Sequence, residues 1–353
     1  MRVPFLAVAA ALLLSGCQGL GPATLGAGRG AYNDVIARTD SEQTLGLIVR
    51  LRYSDPIGLL AVSSVTANLR FSAQAAGEAG IGADSNFAGN LVPFSAGVAY
   101  EDNPTISYTP VDGQAFLRQW LKPIPLETLV PVMQAGENLE ALLKLMVDRM
   151  NGLPSGGDAA RDDRAAFARA VKLLGQLRGL GLVTWIPPSG RGGRWEMIVS
   201  GYAPAHTAEV EELLRLLGIA GDTRKGAAIS IPMELGVRVG AFAGLAVQTR
   251  SIAEIMRAAA DAIEVPEDHV KTGVVAPTSA PAADGLQLRI HSSRKAPSRP
   301  NVALKHRGFW YYVDDTDLVS KRTFQNIQTL FLAGLSEATR NQQKAPVLTI
   351  PVK

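Results

Sequence analysis

The chain has 353 residues, 47% of them apolar and 19% charged, enough for one large core or two ordinary ones. Thirty-five Lys and Arg stand against 32 Asp and Glu, and a formal charge of +3 gives no footing for binding nucleic acid. The single Cys leaves the chain without a disulfide framework or a Cys-ligated zinc, and beyond Cys17 there is no thiol nucleophile.

The N-terminus carries the most specific signal. Met1-Arg2 precede an apolar run from Val3 to Leu14, closed by Leu14-Ser15-Gly16-Cys17. A base, a short apolar run and a small-residue exit form the layout of a secretory signal. The run falls short of the roughly 20 apolar residues a membrane-spanning helix needs. Leu14–Cys17 resembles the bacterial lipobox. The resemblance implies that residues 1–16 are a signal peptide and that Cys17 is the lipidation site, fatty-acylated on its thiol and on its new amino group. Two or more acyl chains hold a protein stably on a membrane. Gln18 stands where the inner-membrane retention signal has Asp, which implies the outer membrane with the body in the periplasm. An inner-membrane lipoprotein facing the periplasm is the alternative. Residues 17–30, ending in GLGPATLGAGRG, read as the lipidated Cys and a flexible tether with a reach of roughly 20 Å.

Ala31–Arg52 predicts an amphipathic helix, with Tyr32, Val35, Ile36, Leu45, Leu47, Ile48 and Leu51 on a broken stripe, stopped by Asp55-Pro56. Leu59–Phe71 alternates as a strand, and Ala73–Asn90 reads as a Gly/Ala/Ser loop. Strands return at Val92–Tyr100 and Thr105–Thr109 around a turn at residues 101–104, and Asp112 can cap a helix that follows. Leu126–Gln134 and Asn138–Met150 look helical. Residues 151–157 (NGLPSGG) then break the chain, which divides it into regions 31–156 and 157–353, separate or integrated.

After the helix Arg161–Leu180 a pattern recurs. Val183–Ile186 with Trp195–Ser200, Ile229–Val239 with Leu245–Thr249, and Leu286–His291 with Phe309–Val313 each read as a hairpin followed by a helix. Val92–Leu121 fits the same scheme. Ser251-Ile252-Ala253-Glu254 has the form of a capping box, and Val347–Val352 is a closing strand. The fold class is therefore α+β: a mixed or antiparallel sheet built from hairpin-then-helix units, with helices packed on it.

Chemistry is sparse. His206, His269, His291 and His306 have no metal-ligand spacing, so structural or exposed roles are favoured over ligation. Ser292-Ser293-Arg294-Lys295 and Lys271-Thr272-Gly273 match fragments of penicillin-binding enzymes, but in reversed order and without the third element. Asp314-Asp315-Thr316-Asp317 suits a helix cap better than a cation loop. Arg289, Arg294, Lys295, Arg299, Lys305 and Arg307 fall in a stretch free of acids. As a hairpin excursion it would be a basic finger, able to meet an anion, a headgroup or an acidic partner. In the run Phe309–Tyr312, Trp310 and Tyr312 are candidates for a ligand groove.

Residues 42–53 (EQTLGLIVRLRY), with Val62–Val65, resemble the N-terminal helix and strand of a family of uncharacterised proteobacterial lipoproteins. So do Gly308–Phe324 and the closing residues 345–352 (APVLTIPV). The resemblance implies one integrated fold from Ala31 onward and carries no catalytic residue. Gly46 replaces a larger residue there, which implies looser packing of that helix. The expectation is a non-enzymatic, outer-membrane-anchored scaffold or assembly component with an envelope protein as partner, no cofactor, no metal and no nucleic acid. A binding module for an apolar or glycan ligand and an envelope hydrolase are the alternatives.

Overall fold

A computed structural model describes residues 20–58, 60–66, 69–76, 95–102, 105–110, 113–136, 138–156, 160–190, 193–223, 226–237, 242–278, 286–340 and 348–351. Cys17, the signal segment and Asp112 lie outside them. The class is α+β, as the sequence predicts. The described chain divides into two compact units. One takes in residues to Ile57 and Trp120–Gly334; the other takes in Gly58–Gln119 and residues from Leu335. These divisions fall elsewhere than at residues 156–157.

In the larger unit the first helix, α1, runs Leu20–Arg52, so the chain is helical through most of the expected tether. Its last turns bury Leu45, Leu47, Ile48 and Val49. They pack on two later elements, the helix Ile252–Asp261 and the strand Pro300–His306. A Cβ on Gly46 would lie 3.6 Å from Leu304 Cδ2, an ordinary van der Waals contact, so the space beside the strand would admit one. Arg52 ends the helix by donating to the carbonyls of Ala276 and Pro277, both at 2.9 Å.

The smaller unit holds β1 (Leu60–Thr66), β2 (Leu69–Ala76), β3 (Ser95–Asp102), β4 (Thr105–Pro110) and a last strand at Leu348–Pro351. The expected hairpin of the second pair, β3 with β4, does not form. Instead β2 pairs antiparallel with β3, and β1 with β4, which also takes the C-terminal strand. Thr66 faces Thr105 and Leu69 faces Asp102, so both ladders share one register. The strands pair in nested rather than sequential order; of the expected turn at residues 101–104, residues 101 and 102 belong to β3 and residues 103–104 lie outside the described residues.

The helix α2 (Gly113–Leu121) leads into α3 (Leu126–Ala135) and α4 (Leu139–Met146). Asn138 caps α4 by accepting from the Ala141 amide at 3.0 Å. The helix predicted to reach Met150 stops at Met146, and Val147–Met150 forms β5, paired with β6 (Leu153–Pro154). Asn151 (φ 46°) and Gly152 (φ 89°) form its two-residue turn, the Asn-Gly pairing a type I′ hairpin favours. Rather than breaking the chain, Asn151 ties it together. Its amide donates to Leu217 O (2.8 Å) and Gly244 O (2.9 Å), and its Oδ1 accepts from Ala246 N (2.7 Å).

The helix α5 (Arg161–Gly179) precedes β7 (Val183–Ile186), β8 (Trp195–Val199), α6 (Thr207–Leu216), β9 (Ile229–Leu235), β10 (Leu245–Thr249) and α7 (Ile252–Asp261). The hairpin of β7 with β8, followed by α6, is as expected. The next pair differs: β10 runs parallel to β9, with Leu245 beside Met233, so those strands are neighbours without being a hairpin. The six strands lie in the order β6-β5-β10-β9-β8-β7. Gln134 donates to the carbonyl of Trp185 (3.0 Å), covering part of the β7 edge. The capping box at Ser251 is complete, with Glu254 bonded back to the Ser251 amide at 2.7 Å.

The C-terminal part of this unit contains a short helix, α8 (Glu267–Lys271), then β11 (His291–Ser293), β12 (Pro300–His306) and β13 (Phe309–Asp314), and finally α9 (Leu318–Arg340) as far as Gly334; the strand of the smaller unit at Leu348–Pro351 is β14. β13 lies between β11 and β12, antiparallel to both. The expected loop at residues 292–301 therefore has strand at both ends. Asp317 caps α9, accepting from the Ser320 amide and hydroxyl (3.1 and 2.7 Å), and Asp314 accepts from Thr316 in the turn before it. Burial pushes the Asp317 carboxyl up, but the bonds from Ser320 bring it net below the usual range.

Candidate functional site

The polar side chains gather where α1 ends against β12 and β13. Tyr53 ends the buried face of α1 and is 5% exposed. Its hydroxyl lies 2.6 Å from the hydroxyl of fully buried Tyr311 on β13, and 2.7 Å from His269 Nδ1 on α8. Burial drives both phenols up, Tyr311 far above the ordinary range, so both stay protonated.

Beside this pair, Asp55 accepts from His306 Nε2 at 2.9 Å and from the Arg307 guanidinium at 2.5 Å. The Arg307 bond, more than any other contact, holds the Asp55 carboxyl below the usual carboxylate range. Arg307 also lies over the Tyr53 ring, 5.1 Å from its centroid. It occupies the first position of the β12–β13 turn with φ 46°, a left-handed conformation that costs an ordinary residue about 1–2 kcal/mol. Gly308 (φ 85°) completes that turn, so the hairpin repeats the backbone of Asn151-Gly152 with an arginine in the asparagine's place.

A second cluster lies further along β11. Glu264 takes His291 Nδ1 at 2.9 Å and Arg289 Nε at 3.2 Å, and the His291 ring lies 5.3 Å from that of Tyr312. Arg294 pairs with Asp268 and stands 4.7 Å above the Phe309 ring.

The six cations of the acid-free stretch are placed as follows. Pro300–His306 is paired strand, with Val302 buried, and three of the six cations have carboxylate partners: Arg289, Arg294 and Arg307. Lys295, Arg299 and Lys305 are exposed. The carboxylates come from residues 55, 264 and 268, outside the acid-free stretch, which is why the stretch alone looked unbalanced. Trp310 and Tyr312 lie on one face of β13, half-buried, while Tyr311 and Val313 on the other face are fully buried. A cleft of about 320 Å³ lies elsewhere, lined by Leu121, Pro123, Leu235, Gln248 and Arg257 among others. Among the described residues no group of His, Cys, Asp and Glu has the arrangement to hold a metal ion.

Sequence reasoning found no ligand spacing among the four histidines and did not join His269 and His306 to Tyr53 and Asp55, more than 200 residues away. The available signal was indirect: Tyr53 and Tyr311 lie in residues 42–53 and 308–324, the two segments that the sequence alone singles out. No family model, no curated protein and no solved structure matches the chain.

Proposed function

We propose that the protein is a lipid-anchored envelope protein, acylated at Cys17, with its body on the periplasmic side of the outer membrane, where it serves as a non-catalytic scaffold. The observation that carries this reading is Leu14-Ser15-Gly16-Cys17 at the end of a short apolar run that follows one Arg. The resemblance of residues 42–53 and 308–324 to bacterial lipoproteins supports it. So does the chemistry of the polar clusters, whose His, Asp, Glu and Arg groups bond to one another and to tyrosine. Among the described residues no helix is long and apolar enough to cross a membrane.

Two measurements test the reading. In fractionated cells Cys17→Ala should move the body from the membrane to the soluble fraction; a variant that stays membrane-bound overturns the anchor. In-cell crosslinking of the anchored protein should recover one envelope protein reproducibly, and failure to recover any removes the scaffold role while leaving the anchor standing.

A further inference from the structure

We propose that Asn151-Gly152 is a covalent clock on the open chain: its side-chain amide is kept while the β5–β6 hairpin is closed, and is lost irreversibly by deamidation when the hairpin opens. Asn151 is the one asparagine of the sequence that precedes a glycine. With no Cβ on residue 152, nothing shields the next backbone nitrogen or restricts its approach to the side chain of residue 151. In an open chain the Gly152 nitrogen attacks Asn151 Cγ. An N–Cγ bond forms, the Cγ–Nδ2 bond breaks, and ammonia leaves with the proton of the Gly152 amide. The cyclic imide that remains takes up one water and opens at either carbonyl. The product is an aspartate, or an isoaspartate whose main chain is one carbon longer.

The closed fold forbids the first step. Ring closure requires the side chain to turn back onto the next amide, and its polar atoms are held elsewhere. Nδ2 donates to Leu217 O at 2.8 Å and to Gly244 O at 2.9 Å, and Oδ1 accepts from Ala246 N at 2.7 Å. The partners fix which way the amide points, because a carbonyl can only accept and a backbone N–H can only donate. The backbone of Asn151 is held as well, its N–H donating to Ala246 O at 2.9 Å. One residue thus joins the hairpin tip to the end of α6 and the start of β10. All of these contacts must release before the attack can occur.

Neither product fits the place the amide leaves. A carboxylate has no proton to give, so its oxygens would face the carbonyls of Leu217 and Gly244. Leu217 caps the C-terminal end of α6, where the helix carries partial negative charge and disfavours an anion. Two part-buried acceptors would lose their donors as well. Isoaspartate inserts a carbon into the two-residue turn between Met150 and Leu153, which face each other in the ladder. Turn length sets the register of a hairpin, so this product disturbs the pairing itself. A chain that has reacted therefore does not close again on the native contacts. The site is independent of Cys17 and its lipid.

Mass spectrometry of the peptide holding residues 151 and 152 tests this, on the full chain kept in mildly alkaline buffer with and without guanidinium chloride. The folded chain should lose the amide at least about tenfold more slowly, because only its open fraction reacts. Aliquots taken from denaturant at intervals are then refolded and digested briefly with a protease, which removes chains that fail to close. Deamidated chains should be depleted about tenfold among the resistant ones. Equal rates with and without denaturant overturn the protection. Deamidated chains as abundant in the resistant fraction as in the total overturn the irreversibility. Should the native chain not refold from denaturant, Asn151→Asp decides the second point. A denaturant midpoint equal to the native one overturns it; a lower midpoint, or no folded state, bears it out.

Discussion

Around the six-stranded sheet, side chains meet by volume; around the sheet of β11, β13 and β12, they meet by direction. Leu129, Met133, Leu143, Met150, Leu174, Met197, Met233 and Leu245 converge on one spot between helices and sheet. Six of the seven methionines in the chain are buried, and five of them belong to this sheet and the helices α3 and α4 beside it. Methionine fills irregular space and tolerates exchange. At the other sheet the contacts are hydroxyl to hydroxyl, hydroxyl to imidazole, and carboxylate to guanidinium, each needing one geometry. The first region should yield to loss of volume and forgive changes of shape. The second should respond little to volume and sharply to single polar atoms.

Truncation in the apolar region should have the largest effect. Leu143→Ala, at a site 2% exposed, is expected to destabilise by about 2–5 kcal/mol, read as a fall in the urea midpoint at constant slope. A loss below about 1 kcal/mol would mean the site collapses without leaving a void. Next comes Tyr53→Phe, which keeps the ring but removes the acceptor for Tyr311, with an expected cost of about 1–3 kcal/mol. If that loss rivals the truncation, the two regions are not distinct. Met197→Leu, fully buried on β8, should cost less than about 1.5 kcal/mol, and a larger loss would show that shape matters there too. The smallest effect belongs to Asp55. Its carboxyl lies below its ordinary value because of Arg307, so its contribution is present at neutral pH and disappears as pH falls from about 4 through the lower folded value. Asp55→Asn should lower stability modestly at neutral pH and flatten its dependence on pH in that acid range; acid sensitivity identical to the native chain would remove Asp55 from the account.

Local signals in the chain were legible where the physics is local. The capping box at Ser251, the Asp317 cap, the helix at 161–179 and the hairpin at 183–199 follow from residues within a few positions of each other. Partner choice among strands was not. β3 and β4 are adjacent in sequence yet pair with β2 and β1, because nesting two arms satisfies the same alternation as two successive hairpins. The parallel run of β10 beside β9 gives no sign in either strand. Asn151-Gly152 was visible only as the start of a break in the chain, and the three backbone groups that bind Asn151 come from residues 217, 244 and 246. The candidate site was invisible for the same reason: Tyr53, His269 and Tyr311 acquire meaning only from each other.

The packing of α1 also bears on the order in which the chain is made. Residues 45–49 emerge early, as an apolar stripe on a helix. What covers them, α7 and β12, follows about two hundred residues later, and Tyr311 later still. At roughly 5–20 residues per second, synthesis leaves that stripe bare for ten seconds or more. A chain passing through a membrane would present it to the far side before its own partners arrive. The segment from Thr44 to Tyr53 is thus where a chaperone has its longest opportunity to bind, and the closing of Tyr53 onto Tyr311 marks the moment that opportunity ends.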